Sequence, residues 1–193
     1  MCARVTDAVA ECARRLRDLP PSCGPVRLVG IDGHAGSGKT SLARALSDAL
    51  DDAPVLHLDD FATYTAPFGW VDAVADQVLR PFAAGRPADH DVYDWRLRSF
   101  ASRRTVPAAP VVLIEGVGAG RRALRPALAH LLWMEVAAAE SWARGRHRDG
   151  PEQAAFWDDW IPAEQRHFAH DPSRPHADVS VRRQGSRYRF SPR

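Results

Sequence analysis

The feature that most limits how this chain can fold is one octapeptide in its first quarter. It follows the pattern G-x-x-x-x-G-K-[ST] and runs Gly33-His34-Ala35-Gly36-Ser37-Gly38-Lys39-Thr40. Lys39 is the only lysine among the 26 lysine and arginine residues of the chain. A compact ammonium on a flexible stem can reach phosphates through a tight loop, whereas a planar guanidinium is too wide. The pattern therefore predicts a loop that wraps a phosphate chain.

The residues on either side of this loop supply the context that such a motif requires. Residues 26–32 are largely apolar and β-branched, which predicts a parallel strand covered on both faces. Residues 41–50 place leucine and alanine at helical spacing, which predicts a helix whose N-terminus faces the phosphates. We therefore expect the octapeptide and Ser41 to bind a nucleoside triphosphate, with the Thr40 hydroxyl directed at Mg²⁺.

Strands and helices continue to alternate along the chain. Further strands are predicted over residues 55–58, 110–116, 131–136 and 177–181. Helices are predicted over residues 5–19, 71–84, 121–130, 137–148 and 151–170, the last one broken at Pro162. This order predicts the α/β fold of P-loop NTPases, a mostly parallel five-stranded sheet with helices on both faces. Residues 85–109 interrupt the alternation, and we expect a substrate-side insert with a small hairpin there.

Composition narrows the class of protein. A chain of 193 residues with 45% hydrophobic and 26% charged residues fits one domain with its own core. The net charge of +2 argues against nucleic acid as a partner. The cysteines Cys2, Cys12 and Cys23 lack C-x-x-C spacing and fit a reducing cytosol, so a cytoplasmic protein is expected. No apolar run approaches 18 residues, so no membrane partner is expected.

Acids stand where two of the predicted strands end. Asp59 and Asp60 follow the second strand, and Glu115 closes the third. Ligands of open α/β sheets collect beyond the carboxyl ends of the strands, so these acids should meet the phosphates. Because Mg²⁺ prefers oxygen ligands, Thr40, Asp59 and Glu115 are the candidate metal ligands.

Asp59 is the candidate general base, which would accept the proton of an acceptor hydroxyl. Asp60 competes for this role, since side chains alternate along an extended strand end and only one of the pair can point into the site. A plainer interpretation of both acids, and of Glu115, is that they bond to neighbouring turns or loops.

Five segments of the chain together resemble those of a known protein family. They are, in chain order, residues 33–41, Leu58-Asp59-Asp60-Phe61, Tyr93-Asp94-Trp95, Ile114-Glu115-Gly116 and His176-Ala177-Asp178-Val179. In order and spacing they are similar to the landmarks of the uridine kinase family, over about residues 26–182. Many unrelated NTPases share the phosphate loop, so the loop alone does not indicate a family. The Asp-x-Phe and Tyr-Asp-aromatic segments make the resemblance to this family more specific.

The resemblance implies an ATP-dependent kinase that uses Mg²⁺. It implies that Asp59 activates a nucleoside 5′-hydroxyl, that Glu115 belongs to the magnesium shell and that Tyr93 lies against the nucleobase. It also places Arg144 and Arg148 on a short lid that closes over the phosphates. Such arginines, together with Lys39, can neutralise charge that spreads over a transferred phosphoryl group. A basic helix end that merely faces solvent is the alternative for the two arginines.

Two positions depart from the family pattern or match it loosely. The family has a histidine five residues after the tyrosine, where this chain has Arg98. An arginine suits an anionic group on the acceptor, such as a carboxylate or phosphate, at least as well as a neutral uracil edge. Asp72 could take the ribose-binding role of an acid in the family, or it could be a plain surface carboxylate.

We therefore expect one P-loop kinase domain over residues 1–193. Its parts would be an N-terminal helix in residues 1–24, the insert in 85–109, the lid in 137–150 and a basic tail in 183–193. The expected partner is a small, nucleoside-like acceptor. Another alcohol, such as pantothenate, a sugar or a phosphosugar, stays open, as does a regulatory NTPase with no acceptor. The sequence does not separate ATP from GTP, and it leaves the oligomeric state open, a homo-oligomer included.

Overall fold

A mixed β-sheet forms the centre of the computed structural model, which describes residues 7–185 and 187–193. The strands are β1 (Arg27–Asp32), β2 (Val55–His57), β3 (Ala88–Asp94), β4 (Ser99–Val106), β5 (Val111–Glu115), β6 (Leu128–Met134), β7 (Val179–Gln184) and β8 (Arg187–Pro192). Six of them form one sheet in the order β2-β5-β1-β6-β7-β8. The first five in this order are parallel, and β8 joins the edge antiparallel to β7.

Helices cover both faces of this sheet. They are α1 (Ala8–Asp18), α2 (Lys39–Ala49), α3 (Val71–Val74), α4 (Arg80–Ala83), α5 (Ala138–Asp149) and α6 (Ala154–His170). A π-helical segment, Ala75–Leu79, joins α3 to α4 directly before Pro81. Proline has no backbone N–H to donate, and its ring clashes with the carbonyl group one turn earlier. The wider turn of the π-helix accommodates both effects.

The sheet is apolar on both sides, as expected of parallel strands between helices. On one side, Val29 and Ile31 pack with Leu42 and Leu46 of α2 in a cluster that α1 also joins. On the other, neighbouring strand residues pack in a second cluster with Val78 and other residues of the α3–α4 segment. The predicted α/β class and the mostly parallel sheet are confirmed.

Two local predictions were wrong. Residues 121–130 do not form a helix: they form turns and a short 3-10 helix, Arg125–Ala127, and β6 already begins at Leu128. Pro126 explains the absence of an α-helix, because proline has no N–H to donate and its ring clashes with the carbonyl of Arg122, four residues earlier. Pro162 does not break α6. It lies on the exposed side of the helix, so the carbonyl that loses its partner can bond to water, while Trp157, Trp160 and Glu164 hold the buried side.

Within the basic tail, Arg187–Pro192 forms β8, which adds a sixth strand to the predicted five. Cross-strand pairs run from Val179↔Pro192 to Gln184↔Arg187. Tyr188 and Phe190 pack into the cluster beside α1, so these aromatic rings are not free to stack on bases. The opposite face of the β7–β8 pair lines a groove of about 460 Å³ that contains none of the predicted site residues.

The insert forms the expected hairpin from β3 and β4, with a register shift between Val92 and Tyr93. Ala88 and Val106, at its base, are buried in the core. The hairpin therefore stands as a short arm beside the carboxyl end of β2. Within the described ranges, none of the helices combines the length and the apolar character needed to cross a bilayer.

Candidate active site

The phosphate loop is held at its base by a buried carboxylate that ends β1. The Asp32 carboxylate accepts backbone N–H bonds from Gly33, Gly118 and Gly120 at 2.7, 2.9 and 2.8 Å. It is fully buried, so these three donors replace the water it would otherwise need. One side chain thus joins the start of the loop to the segment that follows β5.

The loop itself is tight and lies directly against α5. Gly36 and Gly38 have φ values of +81° and +95°, which glycine adopts without strain. A Cβ atom on Gly36 would lie 2.1 Å from the Ser141 carbonyl oxygen and 2.9 Å from the Gly145 nitrogen, both in α5. The Lys39 ammonium donates to the carbonyl oxygens of Gly33 and His34 at 3.0 and 3.1 Å. The Lys39 ammonium is therefore folded back over the loop. This loop is predicted to bind the phosphates that Lys39 would contact.

A second group forms around Glu115 at the end of β5. The Thr40 hydroxyl donates to Glu115 Oε1 at 2.9 Å, and His57 Nδ1 lies 2.7 Å from the same oxygen. Burial alone would raise the pKa of Glu115, but the His57 hydrogen bond and the positive charge of Lys39 hold it below its usual range. In turn, the hydrogen bond to Glu115 raises the pKa of His57. Two of the three candidate metal ligands therefore touch directly, and His57, which was not predicted from the sequence, holds one of them.

Asp59 and Asp60 have different surroundings. The Asp59 carboxylate opens into the central cleft. Asp59 is exposed to solvent in the cleft, but protein atoms around its carboxylate partly desolvate it and raise its pKa, as does the negative charge of Glu115, while Lys39 opposes the shift. Asp60 instead contacts His90 Nε2 at 3.0 Å and accepts a hydrogen bond from Arg104 at 2.9 Å. Asp60 thus bonds to the β3–β4 hairpin, and Asp59 is the acid that faces the cleft.

One cleft of about 960 Å³ brings most of the predicted site residues together. The predicted residues that line it are Ala35, Gly36, Gly38, Lys39, Thr40, Ser41, Asp59, Arg98, Glu115, Arg144 and Arg148. Three loop residues, Gly33, His34 and Ser37, do not line it. No group of three His, Cys, Asp or Glu side chains among the described residues is placed to hold a metal ion. A magnesium ion here would therefore need phosphate and water oxygens besides Thr40, Asp59 and Glu115, as is usual for Mg²⁺.

The predicted lid is helix α5, and its arginines reach the cleft wall. Arg144 pairs with Glu140 on the same helix face. Arg148 makes two hydrogen bonds to Asp149, at 2.6 and 2.9 Å, and Asp149 also accepts from the Trp157 indole N–H. Both arginines therefore border the phosphate loop while their charges are balanced by nearby acids.

Where the hairpin meets α6, the cleft has an aromatic wall that the sequence did not predict. Its members are Tyr64, Trp95, Phe156, Trp157 and Trp160. The Arg98 guanidinium lies 4.3 Å from the centre of the Tyr64 ring, and Arg98 has a φ of +54°, unusual for a residue with a side chain. We refer to these five rings as the aromatic wall.

Two predicted substrate residues lie outside the cleft lining. Tyr93 is buried and packs edge-on against Trp95 and Phe100, with ring centres 5.3 and 5.4 Å apart. Trp95, two residues on, takes the place in the cleft that was expected of Tyr93. Asp72 is on the exposed side of α3.

A second residue that the sequence did not predict, Glu164 of α6, joins the loop from behind. Its carboxylate lies 2.7 Å from His34 Nδ1 and accepts the Ala35 N–H at 3.0 Å. It also accepts the indole N–H groups of Trp142 and Trp160, at 3.0 and 2.8 Å. Burial alone would raise the pKa of Glu164, but these hydrogen bonds hold it below its ordinary value, so the group is a buried anion.

Comparisons with known proteins show which proteins resemble this chain in sequence or in fold. No family model matches the chain. Over 108 residues the chain is 28% identical to the uridine kinase of Streptococcus pyogenes, and the match covers 47% of this chain and 51% of that protein. The chain thus spans about half the length of the curated relatives it matches.

Solved structures extend the likeness to nearly the whole fold. A possible uridine kinase from Bacillus stearothermophilus superposes with a TM-score of 0.64 at 20% identity, over 89% of this chain and 96% of that one. A candidate fructose transport system kinase from Silicibacter sp. TM1040 gives 0.55 at 22% identity, over 71% and 79%. The chain is thus similar in sequence to uridine kinases over about half its length, and it shares its fold with the possible uridine kinase over most of its length.

Proposed function

We propose that this protein is an ATP-dependent kinase that transfers the γ-phosphoryl group to a primary hydroxyl, with a nucleoside 5′-hydroxyl as the leading acceptor. One observation carries the proposal. Lys39, Thr40, Asp59, Glu115 and Arg148 come from four separate segments, and all of them line the same cleft. Phosphoryl transfer needs such a set, because catalysis consists largely of positioning and of neutralising charge.

The residues present fit an ATP-bound Mg²⁺ ion. Gly36 and Gly38 allow the positive φ angles of the tight loop, and the Thr40 hydroxyl and a Glu115 oxygen already lie 2.9 Å apart. These two groups, with Asp59 near them, would hold the ion, which supplies positive charge at the phosphate oxygens. Lys39 would leave the Gly33 and His34 carbonyl oxygens and bond to the phosphate tail.

Asp59 has the position and the charge of a general base. It faces the cleft, and its raised pKa brings its basicity closer to neutral pH than that of an ordinary aspartate. In the proposed step, a bond forms between the acceptor oxygen and the γ-phosphorus, the bond to the β-phosphate oxygen breaks, and the hydroxyl proton goes to Asp59. Arg144 and Arg148 would neutralise the charge on the transferred group.

The aromatic wall supports an acceptor and favours a flat one. Trp95 and Phe156 lie edge to face, with ring centres 5.7 Å apart, and both line the cleft that the phosphate loop also lines. A nucleobase could pack against such rings. A regulatory NTPase would have no use for this wall, so we rank that alternative lower.

Arg98 favours a second candidate, a kinase of the same fold that acts on an anionic alcohol. Its guanidinium lies against Tyr64 in the cleft, and within the described part of the chain it has no carboxylate partner within 4.0 Å. A carboxylate or phosphate on the acceptor would provide one. A phosphosugar or pantothenate would fit this chemistry, and a neutral nucleoside would not use it.

An acceptor panel tests the proposal. ADP release from Mg·ATP is measured with uridine, cytidine, neutral sugars, phosphosugars and pantothenate, each against a sample without acceptor. A uridine or cytidine signal supports the leading acceptor, and a signal with anionic alcohols alone supports the second candidate. A flat panel would refute the proposed kinase activity.

Two variant pairs assign the roles of individual residues in that assay. Asp59→Asn should lower turnover by a factor on the order of 100 or more, while Asp60→Asn, which alters a hairpin contact, should retain most of it. If Asp59→Asn stays fully active, Asp59 is not the base. Arg98→Gln should weaken the use of an anionic acceptor only, and Arg103→Gln on the same hairpin is the matched control.

A further inference from the structure

Glu164 connects three parts of the site that come from different segments of the chain. It lies near the middle of α6 and is fully buried. Two of its hydrogen bonds go to the phosphate loop, one goes to Trp142 on α5, and one goes to Trp160 of the aromatic wall. The donor loop, the lid helix and the acceptor side therefore meet at one carboxylate.

All the hydrogen-bonding capacity of this carboxylate is in use. Oε1 lies within hydrogen-bond distance of His34 Nδ1 and Trp142 Nε1, and Oε2 accepts the Ala35 and Trp160 N–H groups. Two carboxylate oxygens offer about four acceptor positions, so none is left over. Packing α6 onto the sheet does not require a buried charge, and an apolar residue could fill the space without the desolvation cost. The charge is therefore explained by the four donors that it orients.

Close backbone packing supports the same link between loop and lid. Gly36 has no room for a side chain, because α5 lies directly on it through Ser141 and Gly145. The His34 ring is also enclosed edge-on by Trp142 and Phe168, with ring centres 5.8 and 5.1 Å away. A shift of α5 would therefore displace the loop, and a shift of the loop would displace α5.

We propose that Glu164 is a positioning residue that orders the phosphate loop and fixes α5 and the aromatic wall to it. The ordering of the loop is a property of the protein without ligand. Its consequence, a higher affinity for the nucleotide, rests on the proposed function.

Glu164→Gln is the sharpest perturbation because it keeps the shape and removes one acceptor oxygen. The amide NH₂ group must face either His34 and Trp142 or Ala35 and Trp160, so N–H donors then oppose each other on one side. A change of the His34 tautomer can relieve one of these conflicts at most, and a donor is left without a partner.

Two variants at His34 give a matched test that does not alter α6. Asn places an amide nitrogen where Nδ1 was and can still donate to Glu164. Leu retains apolar bulk but has no donor. If the carboxylate acts through its hydrogen bond to His34, Leu should be the more damaging of the two.

The first measurement is amide hydrogen exchange in the free protein. In Glu164→Gln and His34→Leu, protection of residues 33–38 should fall about tenfold or more relative to the amides of β1, and in His34→Asn it should stay within about threefold of wild type. Loop protection equal to wild type in both damaging variants would overturn the proposal. If Glu164→Gln does not fold, the comparison of the two His34 variants tests the proposed role of Glu164.

The second measurement is the affinity for Mg·AMP-PNP by titration calorimetry. Glu164→Gln and His34→Leu should bind about tenfold more weakly than wild type, and His34→Asn should bind more tightly than His34→Leu. Unchanged affinity in the first two, with wild type binding normally, would contradict the link to the nucleotide. If wild type itself does not bind, the proposed function fails, and the exchange experiment still decides the role of Glu164.

Discussion

The contact between α5 and α6 sets two effects of opposite sign against each other at Gly145. Alanine is better than glycine inside a helix by about 1 kcal/mol, so helix propensity alone predicts that Gly145→Ala stabilises α5. A Cβ atom there would lie 2.2 and 2.3 Å from Cη2 and Cζ2 of Trp157. Trp157 is only 1% exposed, and its indole N–H is bonded to Asp149 at 3.1 Å, so the ring cannot move aside freely.

The steric overlap with Trp157 should cost more free energy than alanine gains over glycine in helix propensity. Overpacking of a well-packed core costs about 1–3 kcal/mol, and a contact this short belongs at the upper end. After subtracting the helix gain, we expect Gly145→Ala to lower the free energy of unfolding by about 1–2 kcal/mol. For a chain of this size the midpoint of thermal unfolding should then fall by about 2–8 °C.

A second substitution checks that the contact with Trp157 is the cause. Trp157→Phe deletes the two ring atoms that the added methyl group would meet, so in that background Gly145→Ala should be neutral or stabilising. Circular dichroism on the four proteins, with thermal and urea unfolding, gives the coupling energy of the pair, which we expect to be about 2 kcal/mol. A higher unfolding temperature for Gly145→Ala alone, or an equal loss in both backgrounds, would refute this reasoning.

Three more predictions concern single side chains. Lys39→Met should weaken phosphoryl transfer by a factor on the order of 100 or more, measured as ADP release, because the loop loses its only ammonium; a fully active variant would remove Lys39 from the site. The pKa of Glu164 is lowered in the folded protein, so its stabilisation is present above the unfolded pKa of about 4.3 and is lost as the pH falls through the folded pKa. Urea unfolding should therefore show a stability gap between wild type and Glu164→Gln that narrows in acid, and a gap independent of pH would contradict the buried charge. Burial raises the pKa of Cys12 to about 11, so in a background with both Cys2→Ser and Cys23→Ser a disulfide reagent at about pH 8 should label it only after denaturation.

The sequence predicted the parts of the site that follow from local pattern and topology. The phosphate motif, the strand before it and the helix after it are encoded in the continuous stretch of residues 26–50. The sequence allowed us to predict that Asp59 and Glu115 share one site, because parallel strands end at one edge of the sheet. Their roles in catalysis stay predictions.

What the sequence did not predict depends on distant contacts or on irregular backbone. Glu164 bonds to His34, 130 positions away, and no local pattern marks a glutamate as a partner of the loop. The shift in register between Val92 and Tyr93 changes which side chains face the cleft, and spacing alone cannot place such a shift. One missed signal was present: Arg187-Tyr188-Arg189-Phe190 alternates in the manner of a half-buried strand, and β8 is one.

The central claim is that the phosphate loop, Glu115 and Asp59 act on one metal-bound nucleotide. Crystals grown with Mn²⁺ and AMP-PNP test it most directly, because the anomalous signal of manganese locates the ion independently of the protein. We expect a manganese peak bonded to the Thr40 hydroxyl and a phosphate oxygen, with Glu115 and Asp59 bound to it directly or through one water. A manganese ion bound elsewhere, or a nucleotide whose phosphates lie away from Lys39, would contradict it.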